Sequence, residues 1–379
     1  MNRPNLYADE SILTALTLDA APSAHPLPKS PSTSNTVRGP MRILPALLFL
    51  IAAFPAIGSE RPAPPEAAPA DVADLPLPPW RSPLSQGHPL VGRIWLPAED
   101  RFVEPPALAQ RLSAADFVLL GEHHDNIDHH RLQAWALEQI IASGRRPRVA
   151  FEMVAPEQEP ALRRHLVEHP GQADGLETAL DWPNSHWPDW ANYRPLFAAA
   201  LAAGMDIRPA NLPIAVVRSL AGQQAMPPAT LALYRLDQPP DSATATAMAD
   251  EIRDSHCGQL PERMVPQMVD AQRARDAAMA LAVTSNTPAG AVLIAGAGHV
   301  RTDRGVPAQI AAMAPNRPVF SLAFVEVAEK QDSPANYGES WGKPLPPFDA
   351  VWFTPRANDD DPCAGLAEFI KKKKQQEDR

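Results

Sequence analysis

Short, mostly apolar runs recur along the chain, most of them closing on a polar residue or a glycine: Phe117-Val-Leu-Leu120, Arg148-Val-Ala-Phe151, Met205-Asp-Ile-Arg-Pro-Ala210, Ala291-Val-Leu-Ile-Ala295, Val319 to Val327 and Ala350-Val-Trp-Phe353. Continuous rather than alternating runs predict strands buried on both faces, the usual condition of a parallel sheet. The segments between them change period. Asn126 to Ser143 carries Leu132, Trp135, Ala136, Ile140 and Ile141 at helical spacing, and residues 157–169, 173–180, Leu196 to Ala203, the stretch from Pro213, Ser242 to Arg253 and Leu260 to Val283 also read as helices. Pro266 then belongs in the first turns of the last of these, or kinks it. Strand and helix in alternation predict a single α/β domain, with a mainly parallel central sheet flanked by helices.

The pattern fails before Ala107. Pro accounts for 45 residues of 379, more than twice its ordinary share, and many fall in the first hundred positions. Met41 to Phe54 has one positive charge and then an apolar core broken by Pro45, followed by Ala56-Ile57-Gly58 before Ser59. That is the layout of a cleaved signal peptide and is too short for a membrane span. The expected organisation is an upstream extension, disordered or misannotated, over 1–40, a signal peptide over 41–58, a Pro/Ala-rich linker over 59–106, the α/β domain over 107–356 and a polar tail over 357–379. A short strand is expected within the linker at Val91 to Trp95. The expected location is periplasmic or secreted, with no cysteine after the apolar core to carry a lipid.

A net charge of −10 gives no support to nucleic acid as partner, since phosphate neutralisation needs basic residues arrayed on a face. The basic run Lys371 to Lys374 reads as a solvated tail. Cys257 and Cys363 can pair in an oxidising compartment, worth up to ~4–5 kcal/mol in the chain-entropy model, although spacing alone does not decide whether they meet. They lack the CxxC spacing of a structural zinc site.

The candidate chemistry gathers at strand ends. Gly121-Glu122-His123-His124 follows the first strand, Glu152 the second, Asn211 the third, and Gly298-His299-Val300-Arg301 the fourth. Parallel neighbours would bring these groups to one rim, where α/β sheets bind ligands. Each has a plainer reading. Glu152 could simply serve a helix N-terminus, and His123 and His124 point to opposite sides, so at most one faces the cleft. His129 and His130 fall on the first helical turn, where partial exposure is expected. The Gly296-x-Gly298 pair lacks the third glycine of a dinucleotide turn. The loop from Asp181 to Tyr193 holds three tryptophans and reads equally as core or lid packing and as the wall of a flat apolar ligand, in which Tyr193 could face iron. Met264 and Met268 read as core, and no CxxCH motif is present to attach haem covalently.

Several separated blocks, in order, resemble a known family: Leu119 to Gln133, Phe151-Glu-Met153, Ala210-Asn211, Ser255 to Gly258 with Gln272 to Asp276, and Ile294 to Pro307. Together they are similar to the ChaN family of bacterial haem-binding, iron-uptake proteins, over about Phe117 to Val327. The resemblance implies an α/β domain of the wider Tiki, TraB and erythromycin-esterase group, whose glutamate and histidine positions correspond to Glu122, His124, Glu152 and His299. It also implies haem as cofactor, held between two subunits with a tyrosine on iron, and a haem-uptake receptor as partner. Tyr193 is the expected ligand, with Tyr234 second and Arg301 as partner of a propionate. Family members are often lipoproteins; this chain lacks the lipobox cysteine. The haem-binding set is then Tyr193, His124, Glu122, Asn211, His299 and Arg301. The alternative is a hydrolase using Glu122, His124, Glu152 and His299, metal-free or with a divalent metal on Glu122, His124 and His299. A scaffold or partner-binding role is the third reading.

Overall fold

The computed structural model describes residues 75–361 and 363–366. The extension, the signal peptide, residues 59–74 of the linker and Lys371 to Lys374 lie outside the described residues. Among the described residues, eight strands form one sheet: β1 (Ile94–Leu96), β2 (Arg101–Val103), β3 (Phe117–Glu122), β4 (Arg148–Phe151), β5 (Ile207–Pro209), β6 (Ala291–Gly296), β7 (Val319–Glu326) and β8 (Ala350–Thr354). The spatial order is β2-β1-β8-β7-β3-β6-β4-β5. From β8 to β5 every neighbouring pair is parallel, and β1 runs antiparallel to both β8 and β2. The sheet is therefore mixed but mostly parallel. β3 and β6 are buried along their whole length, as continuous apolar runs require.

Among the described residues, these helices connect and cover the strands: α1 (Pro105–Ala114), α2 (Ile127–Ala142), α3 (Glu159–Glu168), α4 (Leu176–Ala179), α5 (Trp190–Ala202), α6 (Ile214–Ala221), α7 (Pro228–Leu233), α8 (Ser242–Ser255), α9 (Val265–Thr284) and α10 (Val306–Met313). α2 and α5 pack together over one face of the sheet, α9 and α10 over the other. Pro266 falls in the first turn of α9, where its missing N–H has no helical acceptor to lose. Asn126 caps α2 by accepting the Asp128 N–H at 2.9 Å.

The folded unit starts earlier than Ala107. Arg81 and Ser82 donate their N–H groups to the Asp128 carboxylate at 2.9 and 2.8 Å, and the Trp135 indole donates to the Leu75 carbonyl at 3.1 Å. β1 and β2 then extend the sheet, so the described part of the expected linker belongs to the domain. At the other end, Cys257 and Cys363 form a disulfide across 106 positions. No helix among the described residues is long and apolar enough to cross a membrane.

Candidate functional site at the carboxyl ends of the parallel strands

β3 and β6 are paired in register through Glu122 and Gly296, and Phe151 at the end of β4 pairs with Ile294. This register brings Glu122, Glu152 and the turn after Gly296 to one edge. Gly121 has to be glycine: a Cβ there would lie 2.4 Å from Val300 Cγ2 and 2.9 Å from Ala297 Cα. The turn carrying His299 therefore lies directly against β3.

Glu122 is buried at the centre of one half of the cluster. Its Oε1 accepts from the Tyr193 hydroxyl at 2.6 Å and from His124 Nδ1 at 2.8 Å, and its Oε2 stands 3.2 Å from His130 Nδ1. Burial alone would raise its pKa, but His130 and His124 outweigh it and hold the carboxyl well below the usual range. The same carboxylate raises the His124 pKa against burial, and burial next to Glu122 pushes the Tyr193 phenol well above its ordinary value. His124 is the open member: its side chain is 33% exposed and its ring meets Trp187 edge-on at 5.0 Å.

The other half is built on His299. Its Nδ1 bonds Asp276 Oδ1 at 2.7 Å, and its Nε2 lies 3.4 Å from Glu152 Oε1. Glu152 Oε2 accepts the Gly296 N–H at 2.8 Å, and Arg275 Nη1 stands 3.9 Å from Oε1. Burial opposes the charged imidazole, yet Glu152 and Asp276 together push the His299 pKa up to about 10. Burial likewise opposes the Glu152 carboxylate, and the facing His299 holds it at about 2. The result is a buried Glu152–His299 ion pair, with Asp276, whose carboxyl burial pushes above its ordinary pKa, on the other ring nitrogen.

Glu122, His124, Tyr193, Glu152 and His299 thus converge. Asn211 and Arg301 have partners of their own. Asn211 Oδ1 accepts from the next residue's N–H at 2.7 Å. Arg301 is buried with its guanidinium on Asp303, Glu251 and the Trp341 carbonyl. Tyr193 is fully buried, and its hydroxyl donates to Glu122 Oε1. The aromatic loop divides between its two readings: Trp182, Trp190 and Tyr193 are core, whereas Trp187 stands beside His124.

His129 and His130 correct the sequence reading, which expected partial exposure: both are fully buried. His129 Nδ1 accepts the His123 N–H at 2.8 Å and Nε2 meets Thr354 Oγ1 at 2.8 Å, while His130 Nε2 bonds the His124 carbonyl at 2.8 Å. They fasten the first turn of α2 under the rim. His123 faces away, towards Glu326 at 3.8 Å. Asp276 was missed as a site residue, although its spacing from Gln272 is one helical turn in a run otherwise rich in alanine. The divalent metal envisaged on Glu122, His124 and His299 finds no support: among the described residues no group of three or more His, Cys, Asp or Glu side chains is disposed to hold a metal ion.

A layered α/β protein with a carboxylate and imidazole rim at its parallel strand ends is the class these observations define. The sequence pattern of the family described as "Haem-binding uptake, Tiki superfamily, ChaN" matches residues 108–310, and the chain belongs to that family. Among solved structures, it is similar to ChaN of Campylobacter jejuni, described as binding haem cofacially, with 19% identity, 68% of this chain and 95% of that chain covered and a TM-score of 0.52. The type III effector HopBA1 gives 15% identity, 66% and 93% coverage and a TM-score of 0.34. A mutant of erythromycin esterase EreC in its open conformation gives 12%, 71% and 99%, and 0.40. No curated protein matches the sequence.

Proposed function

We propose that this chain is an exported haem-binding protein of haem or iron uptake, with the ligand at the carboxyl-end rim against His124 and Trp187. The observation that carries the reading is the Glu122–His124 pair. A buried carboxylate holds Nδ1 of a partly open imidazole, the arrangement by which proteins orient histidines that ligate metals. Bound haem would supply an iron in need of an axial donor and a flat apolar face. His124 is suited to the first, Trp187 to the second, and Tyr193 to holding Glu122 in place. The cofacial haem described for the Campylobacter protein supports a second copy of this chain as partner. The Cys257–Cys363 disulfide supports an oxidising compartment, periplasmic or secreted, and a haem-uptake receptor would then be the donor or recipient of ligand.

Titration of the purified protein with haem should give a saturable Soret shift. His124→Ala should weaken binding at least tenfold, while Tyr193→Phe should leave the band position unchanged. The reverse pattern makes the tyrosine the ligand, and no saturable binding overturns the proposal. Mass spectrometry of the exported form should find Ser59 as the first residue.

A second reading, hydrolysis through Glu122, His124, Glu152 and His299, is favoured by the ion pair at His299. A buried carboxylate facing an imidazolium suits acid and base roles. Turnover in a screen of ester and peptide substrates, lost in Glu152→Gln, would establish it. Absence of turnover would leave binding alone.

A further inference from the structure

The imidazole of His124 is held by Glu122 at one ring nitrogen, while its backbone lies on the turn from His123 to Asn126. The Asn126 N–H closes that turn by donating to the His123 carbonyl at 3.0 Å, and the Asn126 carbonyl accepts the His129 N–H at 3.0 Å as α2 begins. His124 and Asp125 are its central residues. The Asn126 side chain is fully buried. Its Oδ1 accepts from the Asp128 N–H at 2.9 Å and from the Ser82 hydroxyl at 3.0 Å. Its Nδ2 donates to Glu326 Oε1 at 2.7 Å and to the Pro355 carbonyl at 2.9 Å. A carboxamide has two N–H donors and two lone pairs on oxygen, and all are used.

A helix cap needs only the oxygen, which aspartate or serine would supply as well. The amide donors reach further, to groups 200 and 229 positions away in sequence. Their targets are fixed. Glu326, at the end of β7, also accepts the Ala357 N–H at 2.8 Å on the same oxygen, and Pro355 directly follows β8. Ser82 brings in the segment before β1. One buried side chain thus ties the turn to the ends of two parallel strands and to the chain that leads into the sheet. We propose that Asn126 is a positioning residue for His124: it fixes the turn at the rim and so sets where the open imidazole points. It acts through the backbone of residues 123–126 and touches no ligand. Its consequence for haem rests on the function proposed above; its placement of the ring does not.

Carbon NMR of the full chain without haem tests it, the His124 ring signals being assigned from their loss in His124→Ala. Asn126→Ser keeps a cap oxygen, adds no charge and is too short to reach Glu326 and the Pro355 carbonyl. The His124 signals should move, and haem affinity should fall roughly tenfold, the usual cost of removing support behind a metal ligand. Trp135→Phe is the control. It removes the indole donor to the Leu75 carbonyl further along α2, and should lower the thermal midpoint while leaving the His124 signals in place. Ser82→Ala removes only the hydroxyl donor to Asn126; it should move the same signals by less, and decides the matter where Asn126→Ser does not fold. His124 signals unchanged in the folded variant, or moved as far by Trp135→Phe, overturn the proposal. A native chain that binds no haem would sink the reading of the site alone, since the ring signals are read without ligand.

Discussion

Tyr193 and Glu122 share a buried hydrogen bond of 2.6 Å from which water is shut out. Tyr193→Phe removes the donor and leaves the carboxylate to His124 and His130, so the fold should lose about 1.5–3 kcal/mol, the ordinary worth of a hydrogen bond to a charged group. Urea unfolding measures it, and a loss under ~0.5 kcal/mol would mean that the bond contributes little. The Glu152–His299 pair makes a pH signature. The His299 pKa is raised to about 10, so its stabilisation is complete below the free value of 6.5 and is gone above about 10. The Glu152 pKa is depressed to about 2, so its stabilisation is complete above 4.5 and is gone below about 2. Both act in full between 4.5 and 6.5. The stability difference between the native chain and His299→Asn should be greatest in that window and shrink on either side; a difference independent of pH would refute the ion pair. Residue types and strand-end positions made Glu122, His124, Glu152 and His299 legible in the sequence. Asp276 was not, because a helical acid reads as surface until the His299 turn that packs against it is known.

At the scale of elements, α2 shows what helical periodicity leaves out. Its spacing predicts an apolar stripe and a wet face, but eleven of its 16 residues are buried. The sheet and α5 cover much of it, and the segment around Leu75 to Ser82 covers another side, through Trp135 and Asp128. That cover comes from a proline-rich stretch whose composition reads as linker, so the burial of His129 and His130 could not be foreseen. α1 was lost for a related reason: Pro105 and Pro106 resemble a break in the chain, yet they occupy the first helical turn. β3 was legible because burial on both faces demands an unbroken apolar run. Its final glycine carries a prediction. Gly121→Ala puts a methyl within 2.4 Å of Val300 Cγ2 and forces β3 from the His299 turn. The cost should be about 3 kcal/mol. Carbon shifts of the His299 ring should move with it, while an unchanged ring spectrum and unchanged stability would show that the turn yields freely.

Across the described residues, six parallel strands set the rim, and the segments from Leu75 and beyond β8 pack around them. The order of the strands was not legible, since apolar runs say which segments are buried and nothing about which lie side by side. β3 and β6 are neighbours despite the two strands between them in sequence, and that adjacency is what joins Glu122 to the His299 turn. The Cys257–Cys363 disulfide acts at this largest scale. Cys257 lies two positions past the end of α8, in the left-handed region at φ 55°, and Cys363 lies beyond the last strand. The bridge therefore ties the corner between α8 and α9 to the C-terminal side of the sheet and closes a span of 106 positions in the unfolded chain. Restricting so long a loop stabilises the folded state by about 4–5 kcal/mol in the chain-entropy model. Replacing both cysteines with serine should lower the thermal midpoint by roughly 5–10 °C. A reductant should do the same to the native chain and nothing to the variant. Hydrogen exchange should then quicken first in α8, because its end loses the covalent anchor, while β3 and β6 keep their protection. Equal quickening in β3 would mean that the bridge supports the sheet itself rather than the corner it is attached to.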